Sequence, residues 1–201
     1  MQRAIEAFRV NAARVRNLGG LYSSMESLTT SAIDLSDLLR TQIVLMVSAL
    51  DYFVHEITVQ GMLQIFDGTR KPTDAFKKQR VSGSLLLIPK ESSRSAFEAD
   101  VRDRHSFLSF QQPEKIADAI RMFHPSPLWR AVAGRLNQSE GHLKTRLQLI
   151  VDRRNKIAHE ADINPSFPGE RWPITSSDTE TALNYLETLC EAIYEEVTCL
   201  I

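Results

Sequence analysis

Toward the end of a basic stretch the chain reads Arg154-Asn155-Lys156-Ile157-Ala158-His159, an arginine and a histidine with four residues between them. A guanidinium presents a planar fork of donors to phosphate oxygens, and an imidazole exchanges a proton near neutral pH. Together they suit phosphoryl transfer, with Arg154 holding the phosphate and His159 moving a proton. On a helix, five positions amount to about 140° of rotation and about 7.5 Å of rise, so the two side chains do not stack and the arginine must bend toward the ring. Asn155 and His159, four apart, share a helix face with Asp152, which puts Asn155 where it can orient substrate or imidazole. Arg154, His159 and Asn155 are therefore the candidate catalytic set. Taken alone the spacing is a weak pattern, because a single histidine near a helix end more often caps than catalyses.

The surrounding charge adds to it. Lys144, Arg146, Arg153, Arg154 and Lys156 face a single acid, Asp152, in a chain whose 24 Lys and Arg and 25 Asp and Glu otherwise balance to a formal charge of −1. A protein that coats nucleic acid uniformly is excluded, and a polyanion has to be met by a local patch. Arg146, Arg153 and Lys156 are the candidate substrate contacts. The alternative is a solvated basic face, or one paired with the acidic last helix through Glu187, Glu191, Glu195 and Glu196. Trp172, in Arg171-Trp172-Pro173 a dozen residues on, can stack a base or plug its loop onto the protein.

Other chemistries find little support. No HExxH, phosphate-binding glycine loop or dinucleotide turn occurs. Cys190 and Cys199, nine residues apart on one helix, stand about 13–14 Å apart in rise, too far for a disulfide, and no Cys/His spacing suggests a metal site. Neither a metal nor another cofactor is expected. His55, four after Asp51, reads as an i,i+4 pair or a buried ring, and His105, His124 and His142 as surface positions.

The elements that position the motif follow from periodicity and punctuation. A first helix from Ala4 to Leu18 is expected to stop at Gly19-Gly20. A long core helix should begin near Ser31 or Asp34 and end about Phe66. A short helix around residues 73–80 comes next, with SLLLI open to a lone extended conformation, then helices over 92–110, 113–123 and 127–136. The motif-bearing helix starts at the cap Ser139 with an apolar stripe of Leu143, Leu147, Ile150, Val151 and Ile157. Loops at Asn164-Pro165 and Pro168-Gly169 lead to a last helix, about 177–200, that turns Leu183, Leu186, Ile193 and Val197 inward. This predicts an all-α fold, one domain over 1–201, with no β-sheet. The apolar run Thr41–Leu50 is cut by Asp51, well short of the roughly 20 residues of a membrane span, and the N-terminus carries Arg and Glu where a secretory signal is apolar. No membrane association and a cytoplasmic location are expected.

The segment RRNKIAHEADINPSFPGERWPI resembles the signature of HEPN domains, and more narrowly of the RiboL-PSP type. SALDYFVHEI, Ser48–Ile57, is similar to that family's core helix, and the helix order agrees over most of the chain. The resemblance implies a helical bundle with additional helices and a ribonuclease site at Arg154, Asn155 and His159. It also implies a homodimer that brings two motifs into one cleft, and metal-independent RNA cleavage. Many relatives act in defence or toxin–antitoxin settings, with an antitoxin or defence-system protein as partner. The rival reading is a catalytically silent helical module that binds a partner protein or nucleic acid.

Overall fold

A computed structural model describes residues 1–30, 32–167 and 169–199, and at Leu86 the backbone only. Its organising element is α2 (Ser36–Phe66), 31 residues or roughly 46 Å of helix. Apolar residues lie around most of its circumference, so it can be stable only if surrounded. α1 (Gln2–Leu28), α7 (Glu140–Glu160) and α8 (Ser176–Thr198) pack along it, with α4 (Ser93–His105) and α5 (Pro113–Arg121) against other faces. α6 (Leu128–Leu136) fills the space between α7 and α8, and α3 (Asp74–Lys77) is a single turn capped by Thr73. Phe8, Leu50, Phe53, Ile57, Phe123, Leu147 and Leu186 meet in one continuous core. A smaller cluster of Val59, Met62, Leu63, Phe97 and Val101 seats α4 on the C-terminal half of α2, where the Phe66 and Phe97 rings stack at 4.8 Å. The fold is all-α: among the described residues the only β pairing is an isolated bridge between Ile163 and Arg171.

α2 is also long and apolar enough to cross a membrane by length and composition, and most of its most apolar stretch is buried inside the bundle. Its described start is Ser36, whose N–H donates to Asp34 Oδ1 at 2.9 Å. The alternative start at Ser31, the Pro168 of the later loop and the last helix's expected end at Leu200 lie outside the described residues.

Three expectations fail for tertiary reasons. Gly19-Gly20 do not stop α1, which runs on to Leu28. Glycine's helical cost, about 1 kcal/mol each, is outweighed where the backbone lies close to α2: a Cβ on Gly19 would stand 3.2 Å from Gln42 Oε1. Arg16, one turn earlier, also ties α1 to Glu180 and Glu187 of α8. SLLLI is not extended. Residues Gly83–Leu87 form a 3₁₀ turn, because among the described residues no strand lies alongside to take their backbone groups. The helix expected over 92–110 ends at His105, since Asp51 on α2 accepts the Phe110 N–H at 2.6 Å and Gln111 Nε2 at 2.9 Å and draws residues 107–112 onto the core helix.

Gly61 marks the closest approach within the core, where a Cβ would fall 2.2 Å from the Phe123 ring. Gly61→Ala is expected to lower unfolding free energy by about 1–3 kcal/mol despite its better helix propensity. Adding Phe123→Leu should recover part of that loss in chemical denaturation. If the two substitutions simply add, the assigned clash is wrong.

Candidate active site around Arg154 and His159

α7 begins where Ser139 Oγ accepts the His142 N–H at 3.2 Å, and Leu143, Leu147 and Val151 anchor it in the core at successive turns. Three and four residues past Val151, Arg154 and Asn155 emerge at the edge of that buried stripe. They line a cleft of about 540 Å³ whose far wall is the α4–α5 connection, with Phe107, Phe110 and Lys115 among its residues. Arg154 Nη1 donates to Asn155 Oδ1 at 3.0 Å, while its Nε is buried without a protein partner. An unpaired buried donor is costly by about 1–3 kcal/mol, and an anion or water reaching it relieves that cost.

His159 sits in the last turn of α7, exposed and outside the lining of this cleft. One chain therefore brings Arg154 and Asn155 together and leaves His159 apart. Asp152, on the same helical face by spacing, accepts from Gln148 at 2.8 Å.

The path after α7 is fixed by a residue that sequence reasoning passed over. Ala161 and Asp162 both take left-handed backbone, φ 51° and 59°, and both N–H groups return to the Lys156 carbonyl, closing the helix. The Asp162 side chain is fully buried, and its Oδ2 accepts from Arg40 Nε at 2.7 Å and Arg153 Nη2 at 2.8 Å. Both guanidinium groups also donate to the Trp172 carbonyl, and the Trp172 N–H donates back to the Asp162 carbonyl at 2.8 Å. No local pattern betrays this knot, because Arg40 is 122 positions from Asp162.

The network also engages one candidate substrate contact. Arg153 is occupied by Asp162 and by the Trp172 and Pro173 carbonyls, and burial pulls its pKa down from the ordinary arginine value against the upward pull of Asp162. Lys156 places its ammonium 5.2 Å from the centre of the half-buried Trp172 ring, so that ring packs its loop onto α7. The Arg146 guanidinium lies 4.6 Å over Tyr185 and donates to the Thr181 carbonyl. All four candidate contacts, Arg146, Arg153, Lys156 and Trp172, stand outside the lining of the Arg154 cleft. Nor does the acidic face of α8 neutralise α7. Glu187 and Glu191 pair with Arg16 and Arg9 of α1, and Glu195 and Glu196 with Arg135 of α6.

Two histidines expected at the surface are buried. His124 is fully enclosed, 3.6 Å from Glu196, and burial lowers its pKa. His105, 7% exposed, packs edge-on to Phe110 and near His55. His55 does pair with Asp51, at 3.7 Å, as its spacing suggested. Among the described residues no group of three His, Cys, Asp or Glu is placed to hold a metal ion.

An all-helical bundle that presents Arg-x4-His at the end of a late basic helix, beside a cleft, has the architecture of a HEPN domain. The family model for RiboL-PSP-HEPN matches residues 10–198, and the chain belongs to that family, whose associated function is nuclease-like or RNA-related. No curated protein and no solved structure matches the chain significantly.

Asp162→Ala removes the acceptor shared by two guanidinium groups. It should cost about 3–5 kcal/mol and raise hydrogen exchange across 161–173; a variant as stable and as protected as the parent would remove the knot from the account. For His105, desolvation first and the charge of His55 second lower the pKa from 6.5 to about 4. The unfolded chain then binds a proton that the folded chain refuses. Stability is full above about pH 6.5 and declines as pH falls toward 4, by about 3 kcal/mol from this residue. His105→Phe should flatten that part of the unfolding profile, and an unchanged slope would mean that another group carries it.

Proposed function

We propose that the chain is a metal-independent endoribonuclease whose reaction is carried by Arg154, Asn155 and His159. The observation behind this is the placing of Arg154 and Asn155 on a cleft, within the Arg-x4-His motif of a chain that belongs to the RiboL-PSP-HEPN family. His159 takes the proton of the substrate's 2′-hydroxyl, whose oxygen attacks the adjacent phosphorus. The P–O5′ bond breaks, giving a 2′,3′-cyclic phosphate and a 5′-hydroxyl. Arg154 stabilises the charge on the phosphoryl oxygens, and Asn155, bonded to that guanidinium, holds it in the cleft.

The leaving 5′-oxygen needs a proton, and His159 lies outside the cleft of its own chain. A homodimer answers both needs, because a two-fold axis near the end of α7 brings a second copy's His159 toward the first copy's Arg154. A defence or toxin–antitoxin setting suits such an activity, with an antitoxin or defence-system protein restraining it. The separation of His159 from the cleft favours a second reading, a silent module that binds RNA or a protein without cleaving.

One labelled RNA separates these readings. The dimer, checked by light scattering, should cleave it in EDTA, leave a 2′,3′-cyclic end, and spare a scissile position carrying 2′-deoxyribose. Arg154→Ala and His159→Ala should each slow cleavage about 10²- to 10⁴-fold, or about 3–5 kcal/mol, without loss of fold. Replacing exposed His142 by Ala should change nothing. Activity that needs Mg²⁺, or that accepts the deoxy substrate, would defeat this chemistry, and absence of products under all conditions would leave the silent module.

A further inference from the structure

A second cleft, of about 590 Å³, opens on the other side of the α4–α5 connection, and it shares Leu108, Phe110 and Asp118 with the Arg154 cleft. The two clefts adjoin at these residues, and together they offer a path across the α4–α5 connection that can serve as one groove. Its cations are Lys78, Arg80 and Arg104 at one end and Lys115 and Arg154 at the other, against Asp118 as the lining's single carboxylate. Asp118 is matched by Arg121 at 2.5 Å, and Arg104 by Asp100 at 2.9 Å. Among the described residues Lys78, Arg80, Lys115 and Arg154 form no ion pair.

The other grooves differ. In the one between α1 and α8, Arg9 and Arg16 are closed by Glu191 and Glu187, and in the one beside α4, Arg102 is closed by Glu56 and Glu98. Among the described residues Arg3, in the groove beside α4, is also without an ion pair, whereas four such cations line the groove at the α4–α5 connection, in a chain of net charge −1. The remaining lining is apolar or aromatic: Leu108, Phe110, Ala119 and Met122, with His105 more than nine-tenths buried and its Nδ1 without a partner. Phe107 stands 90% exposed at the rim beside Arg154.

We propose that this groove is the track for single-stranded RNA flanking the scissile phosphate, running from Arg154 past Phe107 to Lys78 and Arg80. It rests on the reading of the site as RNA-cleaving. Cations spaced along an apolar floor, with an exposed aromatic ring at the rim, match a strand's alternation of phosphates and stackable bases. A patch of charge alone gives the bases no surface. Lys78, Arg80 and Lys115 take phosphates, Phe107 offers a stacking face, and His105 presents a polar edge to a base seated against Phe110.

The test uses a fluorescent RNA of about 12 nucleotides, 2′-O-methylated throughout so that it binds without being cleaved, titrated by anisotropy at several salt concentrations. Lys78→Ala with Arg80→Ala should weaken binding about ten-fold and reduce the salt slope by about 1.4, the loss of two phosphate contacts on a single strand. Arg14→Ala with Arg130→Ala removes the same charge from exposed positions off the groove and should leave both values near the parent's. Equal effects of the two double variants would overturn the track. So would a groove variant that loses a poly-glutamate tracer but not the RNA, which would assign the groove to an acidic protein. Because this probe cannot react, its result stands apart from cleavage. Loss of binding in the groove variant, with no product from the unmodified RNA and the parent protein, would keep the track and reject the ribonuclease. Cleavage abolished by His159→Ala alongside unchanged binding in the groove variant would do the reverse.

Discussion

A buried carboxylate holds the end of the motif helix. Asp162 is fully buried, and two guanidinium groups, one from α2 and one from α7 itself, converge on its Oδ2. Buried alone, such a charge would cost many kcal/mol, and so would either arginine without it. The arrangement is therefore nearly all-or-none, and it fixes three things at once: where α7 stops, how the Trp172 loop returns, and how α2 sits against both. The left-handed backbone at Ala161 and Asp162, unfavourable for residues with a Cβ, persists because this network over-determines it.

A second carboxylate does comparable work on the other wall. Asp51 lies in the middle of the most apolar helix and is bonded to the Phe110 N–H and the Gln111 amide. It stops α4 short and lays residues 107–112 across from Arg154 and Asn155. Asp51 thus sets the irregular wall of the cleft, while Asp162 holds the end of the helix that forms its other side and the loop beyond it. The regular helices supply the rigid frame to which those segments are tied.

This division also explains how the basic residues of α7 sort themselves. Arg153, Lys156 and Arg146 each meet an internal partner: a carboxylate, an indole and a phenol ring. Arg154 meets only its neighbour Asn155 and the cleft. Residues one position apart on the same helix thus hold the fold together in one case and face open space in the other, a difference of about 100° in direction.

Most of the helical framework was legible in the sequence, because periodicity and capping are local. Ser139, the Leu143–Leu147–Val151 stripe, the proline breaks and the inward face of α8 follow from residues within a turn or two of one another. The Arg-x4-His spacing was legible as well, though only the family resemblance of the surrounding segment made it specific. The outcomes that depended on distant partners were not legible. Gly19-Gly20 continue a helix because of Gln42, α4 ends early because of Asp51, His105 and His124 are buried by helices far away in the chain, and the acids of α8 turn to α1 and α6. Local pattern alone was enough to make the chain helical and to single out Arg154, Asn155 and His159 as candidates for its chemistry. Tertiary packing settled which cations of the basic helix are free, that His159 stands outside its own chain's cleft, and that a second cleft shares Phe110 with the one at Arg154. Charge pairing and enclosure are set by whatever lies across the gap, and no spacing along one chain specifies that.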